Sequence, residues 1–322
     1  MYILDMHCDT LTNLDGNTKL RNNNLHIDLM KMKQSNYLLQ NFAIFVDIDK
    51  QKNRLHFVLK NINKFYKEME INKDLIKQVY SYNDIIKNKN NDLMSAMLTL
   101  EEGDVIENDL DILELYYHLG VRMITLTWNY PNSIGYPNFT PNKDIDRNNM
   151  LKTINTSDGL TPFGIKYLKK CEELGIIIDV SHLGDKGFYD VLKYSTKPFV
   201  ASHSNSRKIC NVARNLSDEM ILELHKRNCV MGINFCEDFI DDDGNGSVDN
   251  IIKHINHIKE IGCIDNIGLG SDFDGINTRK EVDDCSKIYL LIDKLKDNGY
   301  TNDEIEKICY RNVLRLYKEV LK

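Results

Sequence analysis

Residues 163–182 read FGIKYLKKCEELGIIIDVSH and contain the unit from which the fold is built. Phe163 to Leu174 carries apolar residues at helical spacing, and Gly175 is a helix-ending glycine. Ile176 to Ser181 is a short apolar run typical of a buried strand, and His182 follows it directly. This order of helix, stop and strand predicts one repeat of an α/β fold with a parallel sheet.

Similar short apolar runs recur along the chain between amphipathic stretches, and this alternation predicts a parallel sheet. Eight strands favour a closed (β/α)8 TIM barrel, with an open doubly wound sheet as the alternative. The 322 residues suit a single barrel domain, 1–322, with insertions. The predicted strands are Ile3 to His7, Phe42 to Asp47, Met97 to Glu101, Arg122 to Thr127, Ile176 to Ser181, Phe199 to His203, Val230 to Asn234 and Ile267 to Asp272.

The stretches between the strands place apolar residues at helical spacing. Ser217 and Thr301 are predicted N-caps, the latter in a capping box. Residues 128–160 are long and polar and predict an extended loop over the active face, whereas Lys87 to Asp92 predicts a solvated loop. The predicted helices are Arg54 to Met69, Leu110 to Leu119, Phe163 to Leu174, Phe188 to Tyr194, Asp218 to Arg227, Val248 to Ile261, Ser286 to Asn298 and Asp303 to Leu321.

The charge and composition of the chain argue against two classes of binding partner. The net charge is -7 and the pI is about 5.8, without a basic stripe, which argues against binding to nucleic acid or to an anionic membrane. No stretch approaches the ~20 apolar residues of a membrane span, and the N-terminus lacks the pattern of a signal peptide. The eight cysteines form no C-x-x-C pair and are expected to be reduced core residues. A cytoplasmic protein is therefore expected.

Side chains of metal-ligand type occupy the predicted strand ends, where barrel enzymes carry their functional residues. Asp5, His7 and Asp9 alternate along the first strand, so all three are expected to point into the barrel mouth. His7 and Asp9 are then placed to bind one metal together. Of the adjacent Glu101 and Glu102 only one can reach inward, and a carboxylate with two oxygens suits a bridge between two cations.

Histidines end two successive strands. His182 and His203 each follow a serine after an apolar run, and neutral imidazole is a common ligand for zinc. Asp272 ends the last strand and could accept a proton from a metal-bound water. Asp274, next to Gly275, is expected to be a structural turn residue.

These residue types suit amide hydrolysis. A divalent metal lowers the pKa of bound water to about 7, and two metals about 3.5–4 Å apart can hold both hydroxide and carbonyl. Five ligands with one bridging acid leave positions open for water and substrate. The sequence thus predicts a metal-dependent hydrolase with two divalent ions, zinc by preference.

Eight segments together resemble the renal (membrane) dipeptidase family, peptidase family M19, in order and spacing from Asp5 to at least Gly275. That family is a binuclear zinc branch of the amidohydrolase-like barrels and cleaves dipeptides. The segments are DMHCD at 5–9, LEEG at 100–103, LT at 126–127, GLTPFG at 159–164, IDVSH at 178–182, SHS at 202–204, ARNL at 213–216 and GSDFDG at 270–275.

The resemblance implies a role for each matching residue. His7 and Asp9 would hold one zinc, His182 and His203 the other, and Glu101 would bridge them. Asp272 would match the acid that handles protons while a bridging hydroxide attacks the peptide carbonyl. Arg214 would pair with the terminal carboxylate of the substrate, which suits the bidentate geometry of guanidinium. Read without the resemblance, Arg214 is a surface residue.

The chain departs from the family pattern at two places. Trp128 stands where mammalian members have a histidine that helps to bind the scissile carbonyl. Trp128 could pack on substrate or cap the barrel, and Asn129 is the candidate for the missing donor. Glu102-Gly103-Asp104 replaces the usual Gly-Gly-His after Glu101. Both changes leave the ligand set intact and concern the choice of substrate.

The expected function is that of a metallo-dipeptidase acting on small dipeptides. Barrel enzymes often dimerise, so a homodimer is the assembly considered. Two alternatives from the residues themselves are a hydrolase for non-peptide amides or lactones and a non-catalytic metal- or peptide-binding protein. A substrate panel separates the first, and intact ligands without turnover would indicate the second. A third reading, in which the polar strand ends are structural, is the least favoured.

Overall fold

The computed structural model describes residues 1–141, 144–241, 246–276 and 281–322, and these residues contain nine parallel strands in one sheet. The strands are β1 Ile3–Asp5, β2 Tyr37–Phe45, β3 Ile76–Gln78, β4 Met94–Glu101, β5 Val121–Thr125, β6 Ile177–Asp179, β7 Val200–Ala201, β8 Val230–Ile233 and β9 Ile267–Leu269.

Eight of these strands close into a barrel in the order β1, β2, β4, β5, β6, β7, β8, β9. Closure is carried by β1, which pairs with β2 on one side and with β9 on the other, where Asp5 lies opposite Leu269. The short β3 pairs only with β4, outside the ring. The predicted (β/α)8 barrel is confirmed, and the open doubly wound alternative is excluded because the β2–β4 pairing leaves none of these eight strands at an edge.

Helices lie between the strands. The α-helices of the described ranges are α1 Thr10–Asn13, α2 Leu29–Gln34, α3 Arg54–Ile71, α4 Tyr82–Asn90, α5 Leu110–His118, α6 Arg147–Lys152, α7 Pro162–Leu174, α8 Asp185–Tyr194, α9 Asp218–Lys226, α10 Glu237–Ile240, α11 Val248–Glu260, α12 Ile288–Asp297, α13 Asn302–Glu306 and α14 Asn312–Val320. Short 3₁₀ turns occupy Gly103–Ile106, Ile264–Asn266 and Cys285–Lys287, and a π-helical turn, Lys307–Arg311, joins α13 to α14. No helix in these ranges combines the length and apolarity of a membrane span.

Local chemistry sets the helix ends. Ser217 accepts a hydrogen bond from the backbone of Met220, and Thr301 forms the predicted capping box with Glu304. Gly175 ends α7 at φ +83°, a left-handed conformation that glycine adopts without strain. These predicted boundaries are confirmed.

The structure departs from the sequence-based expectations at three places. Lys87–Asn90 is not a loop but the last turn of α4, because Ser81 and Asp84 form a capping box and Ile85 packs into the core. The strand β3 was not predicted, since Ile-Lys-Gln lacks an apolar run. In the predicted loop 128–160 the structure has α6, while residues 142 and 143 lie outside the described ranges.

The interior of the barrel is closely packed with side chains below the carboxyl ends of its strands. Strand side chains meet Val313, Leu316 and Tyr317 of α14 in one buried cluster. Within this region the Asn41 side-chain amide donates to the Tyr317 hydroxyl at 2.7 Å, so a polar pair is satisfied inside the apolar packing. The other members from the strands are Leu4, Leu38, Leu39, Met97, Met123, Ile177, Val200 and Val230.

Tyr317→Phe is expected to lower the free energy of unfolding by about 1–3 kcal/mol, because it leaves the buried Asn41 amide without its acceptor. Chemical denaturation in urea measures the change. The matched control is Tyr289→Phe, since the exposed Tyr289 should tolerate the change within about 0.5 kcal/mol. Equal losses in both variants would contradict the assignment.

Candidate metal centre and active site

The carboxyl ends of the barrel strands open into a cavity of about 400 Å³. His7 and His203 are buried next to it, and the other predicted site residues line it directly. These lining residues are Asp9, Glu101, Trp128, Asn129, His182, Arg214 and Asp272.

One group of ligand atoms surrounds His7. Its Nε2 atom lies 3.5 Å from Oδ2 of Asp9, 3.4 Å from Oε2 of Glu101 and 3.8 Å from Oδ1 of Asp272. All four side chains are buried or nearly so. The structure therefore brings the first-strand pair together with acids from β4 and from the segment after β9, at a spacing compatible with metal binding.

A second group lies around the other oxygen of Glu101, with the His203 ring 4.1 Å from the His7 ring between centroids. The Nε2 atoms of His182 and His203 are 3.0 Å apart, and they lie 3.0 and 3.7 Å from Oε1 of Glu101. Since Oε2 of the same carboxylate faces His7, Glu101 stands between the two groups with one oxygen directed at each.

The hydrogen bonds at the Nδ1 atoms fix the tautomers of His182 and His203. The amide oxygen of Asn129 can only accept, so His182 carries its proton on Nδ1, 2.8 Å away. The Ser202 hydroxyl donates to Asp179, so it accepts from Nδ1 of His203 at 2.7 Å. Both Nε2 atoms consequently present lone pairs into the site.

These contacts fit a cation. Two imidazole lone pairs 3.0 Å apart, beside a carboxylate oxygen, repel one another unless positive charge lies among them. Burial lowers the pKa of His182 to about 4 and that of His203 well below its usual value, so both rings are neutral ligands near pH 7. Both ring nitrogens of His7 and Oδ1 of Asp9 are buried without a hydrogen-bond partner among the described residues.

Two buried carboxylates, Asp5 and Asp179, hold the loops that carry the ligands. Asp5 does not join the His7 group, because β1 ends at Asp5 and the two-residue alternation stops there. It accepts from the amide and hydroxyl of Ser271 at 2.9 and 2.5 Å and from the amide of His7 at 3.2 Å. These bonds tie the end of β1 to the segment that follows β9.

Asp179 makes the same pattern of bonds at the end of β6. It accepts from the amide and hydroxyl of Ser202 at 2.8 and 2.6 Å and from the amide of Ser181 at 3.0 Å. Sequence reasoning assigned no role to Asp179. The available signal was the serine that precedes each of His182, His203 and Asp272, together with an aspartate at the end of a neighbouring strand.

Asp272 lies at the edge of the first group in a strained conformation. Its φ is +64°, uncommon for a residue with a side chain, and His182 has φ +71°. The second oxygen of Asp272 accepts from the Asn234 side-chain amide at 3.0 Å. Burial raises the pKa of Asp272 to about 7, which is the range of a group that exchanges protons near neutrality.

Arg214 is a buried cavity residue, not a surface residue. Its Nη2 atom donates to the carbonyl of His203 at 3.3 Å, and the guanidinium lies over the ring of Phe239 at 5.3 Å. Nε has no hydrogen-bond partner in the described part of the chain, and burial lowers the pKa of the group. A desolvated, partly unpaired guanidinium in a cavity suits an anionic ligand.

Two further acids near the site, Glu102 and Asp274, do not join the ligand groups. Glu102 accepts hydrogen bonds from the loop that begins at Trp128, and of the Glu101–Glu102 pair only Glu101 reaches the ligand groups. Asp274 accepts from the Thr10 hydroxyl at 2.5 Å and the His26 amide at 2.7 Å, which joins the segment after β9 to that after β1. Its turn role is as expected.

The chain matches one family model over its whole length and individual known proteins over most of it. A family model described as membrane dipeptidase, peptidase family M19, matches residues 1–322. An uncharacterized dipeptidase of Schizosaccharomyces pombe is 30% identical over 321 residues, covering 91% of this chain and 72% of that protein. An uncharacterized protein in the pqqA 5′ region of Klebsiella pneumoniae is 32% identical over 244 residues, 74% of this chain and 86% of its own.

Solved structures share the fold. The dipeptidase AC of family M19 superposes with a TM-score of 0.88 at 24% identity, over 100% of this chain and 99% of that chain. A metallopeptidase from Rhodobacter sphaeroides, liganded with a phosphinate mimic of L-Ala-D-Ala, has a TM-score of 0.87 at 23% identity, over 99% of both chains. The barrel is therefore common to these proteins.

Ser202→Ala is expected to weaken the affinity for a divalent metal by about 10- to 100-fold, because His203 loses the acceptor that keeps its proton on Nδ1. Competitive titration against a chromophoric chelator measures the affinity. Ser206→Ala is the matched control, since the Ser206 hydroxyl is buried without a partner in the described ranges. Wild-type affinity in Ser202→Ala would remove this role for the serine.

Proposed function

The chain belongs to the membrane dipeptidase family, peptidase family M19, and is therefore a hydrolase of the metallopeptidase class. On that premise we propose that it hydrolyses the peptide bond of dipeptides at a binuclear zinc centre. The observation that carries the proposal is the pair of ligand groups that share Glu101, one oxygen of which faces each group.

The donor set suits two zinc ions. His7 and Asp9 would hold one, His182 and His203 the other, and Glu101 both. When bound, such ions would lower the pKa of water so that a nucleophile is available near neutral pH, and they would supply positive charge for the carbonyl oxygen. Asn129 and Ser202 keep the two imidazoles in the tautomer that ligation requires.

Asp272 is proposed as the proton carrier. Its Oδ1 atom lies 3.8 Å from the His7 ring, and Asn234 holds its other oxygen in place. A carboxylate at this position can take the proton of the attacking water and deliver it to the leaving amine. The Asn234 bond and the backbone conformation hold the Asp272 carboxylate in one orientation.

Arg214 is proposed to bind the free carboxylate of the dipeptide. The group is already desolvated and is held by His203 and Phe239, so an incoming carboxylate gains a charge-assisted bond without reorganising the arginine. Because His203 is also a proposed ligand, this contact sets the distance between the carboxylate and the reacting carbonyl.

Purified protein is expected to contain about two zinc ions per chain and to cleave dipeptides in a chelator-sensitive manner. Elemental analysis and a panel of L,L and L,D dipeptides, with the C-terminal amide of each, measure both properties. Free dipeptides should be preferred to their amides because of Arg214. Two metals without dipeptide cleavage would favour a different amide or lactone substrate, and no bound metal after reconstitution would overturn the proposal.

Asp272→Asn is expected to lower kcat by about 10²- to 10⁴-fold, the usual contribution of a general acid–base group. Zinc content should be preserved, because the five proposed ligands are unchanged. Steady-state kinetics and elemental analysis of the same preparation measure the two quantities. Full turnover in Asp272→Asn would exclude the proton-carrying role.

A further inference from the structure

Glu102 holds an unusual backbone conformation directly after the proposed ligand Glu101. Its φ is +108°, a region that residues with side chains rarely adopt, and it is fully buried. Such strain costs free energy and persists only where surrounding contacts stabilise it. The contacts of Glu102 therefore need a functional explanation.

The carboxylate of Glu102 holds the loop that follows β5. Oε2 accepts from the backbone amide of Trp128 at 3.1 Å, and Oε1 accepts from the Asn132 side chain at 2.5 Å. Oε1 also accepts from the amide of Asp104 at 2.9 Å. Three donors on one buried carboxylate make strong, directional bonds, and two of them belong to the loop.

The next two residues, Gly103 and Asp104, also contact this loop. A side chain at Gly103 would lie 2.6 Å from Cδ1 of Ile134 and 3.0 Å from the carbonyl of Leu126, so the close approach requires glycine. Asp104 accepts from the Ser133 hydroxyl and pairs with Arg54 at 2.9 Å. The segment 102–104 thus contacts the loop 126–134 at each of its three positions.

This loop carries two groups that face the metal centre. The Trp128 ring packs 4.7 Å from Phe45 and 6.3 Å from His182, measured between ring centroids, and forms an aromatic wall of the cavity. Asn129 holds Nδ1 of His182 at 2.8 Å. A displacement of this loop would move the Trp128 ring. It would also break the hydrogen bond from His182 to Asn129 that keeps the proton of His182 on Nδ1.

We propose that Glu102 is a positioning residue that acts through Trp128 and Asn129. Its carboxylate fixes the loop so that the aromatic wall stands beside His182 and Asn129 keeps the imidazole ready for ligation. The backbone strain at Glu102 is offset by these loop contacts. The metal-affinity part of this assignment rests on the proposed function, whereas the placement of Trp128 does not.

The test uses Trp128 itself, the only tryptophan of the chain, as a fluorescent reporter. In Glu102→Gly the emission of the full-length protein is expected to shift to longer wavelength and to become more sensitive to acrylamide, because the loop loosens. Glu107→Gly is the matched control. Glu107 is also a glutamate at positive φ, +52°, at the end of the same 3₁₀ turn, but it is exposed. Its emission should equal that of wild type.

Zinc affinity is measured on the same preparations and is expected to fall by about tenfold in Glu102→Gly, the lower range for loss of a group that orients a ligand. If circular dichroism shows that Glu102→Gly does not fold, Glu102→Gln is used for the test. The NH2 group of glutamine cannot accept a hydrogen bond, so at least one of the bonds that the carboxylate accepts would be lost. Wild-type emission and quenching in a folded Glu102 variant, or the same shift in Glu107→Gly, would overturn the proposal. A wild-type protein without zinc or dipeptidase activity would defeat the proposed function but leave the emission result decisive for the loop.

Discussion

The site depends on the approach of three ligand atoms, Nε2 of His182, Nε2 of His203 and Oε1 of Glu101, within 3.0–3.7 Å of one another. In water such groups would separate, because two lone pairs and a negative oxygen repel at this distance. The barrel brings them together by placing the ends of parallel strands at one rim. A cation among these atoms would relieve their repulsion. We therefore expect metal binding to stabilise this rim of the barrel.

A supporting layer keeps the ligands in place against that repulsion. Asp5 and Asp179 tie successive strand ends together through a serine amide and hydroxyl each. Asn129 and Ser202 fix the imidazole tautomers, and Glu102 holds the loop on which Asn129 lies. The precision of such sites comes from these buried bonds, because a ligand on a free side chain would sample other rotamers.

Strained backbone accompanies this arrangement. His182, Asp272 and Glu102 all have positive φ, and each lies just after the end of a barrel strand. The strand direction alone would carry the chain past the cavity, so a sharp turn is needed to aim the side chain or the following loop back toward the centre. The dense packing below the rim, where α14 packs against the strand side chains, supplies a rigid base for these turns.

Patterns along the chain were enough to predict the repeat of strand and helix and the ligand types at the strand ends, and therefore that these ligands meet at one rim of the barrel. These features depend on periodicity and on short-range order along the chain, which a sequence displays directly. Only the tertiary structure decided the burial of Arg214, the role of Asp179, the tautomers of the histidines and the bond from Trp128 to Glu102. Each of these depends on a contact between residues far apart in the chain; even the bond between the adjacent Ser202 and His203 is oriented by Asp179. The Asn41–Tyr317 bond spans 276 residues. No local pattern encodes such contacts, because they exist only once the barrel closes and brings separate strand ends together.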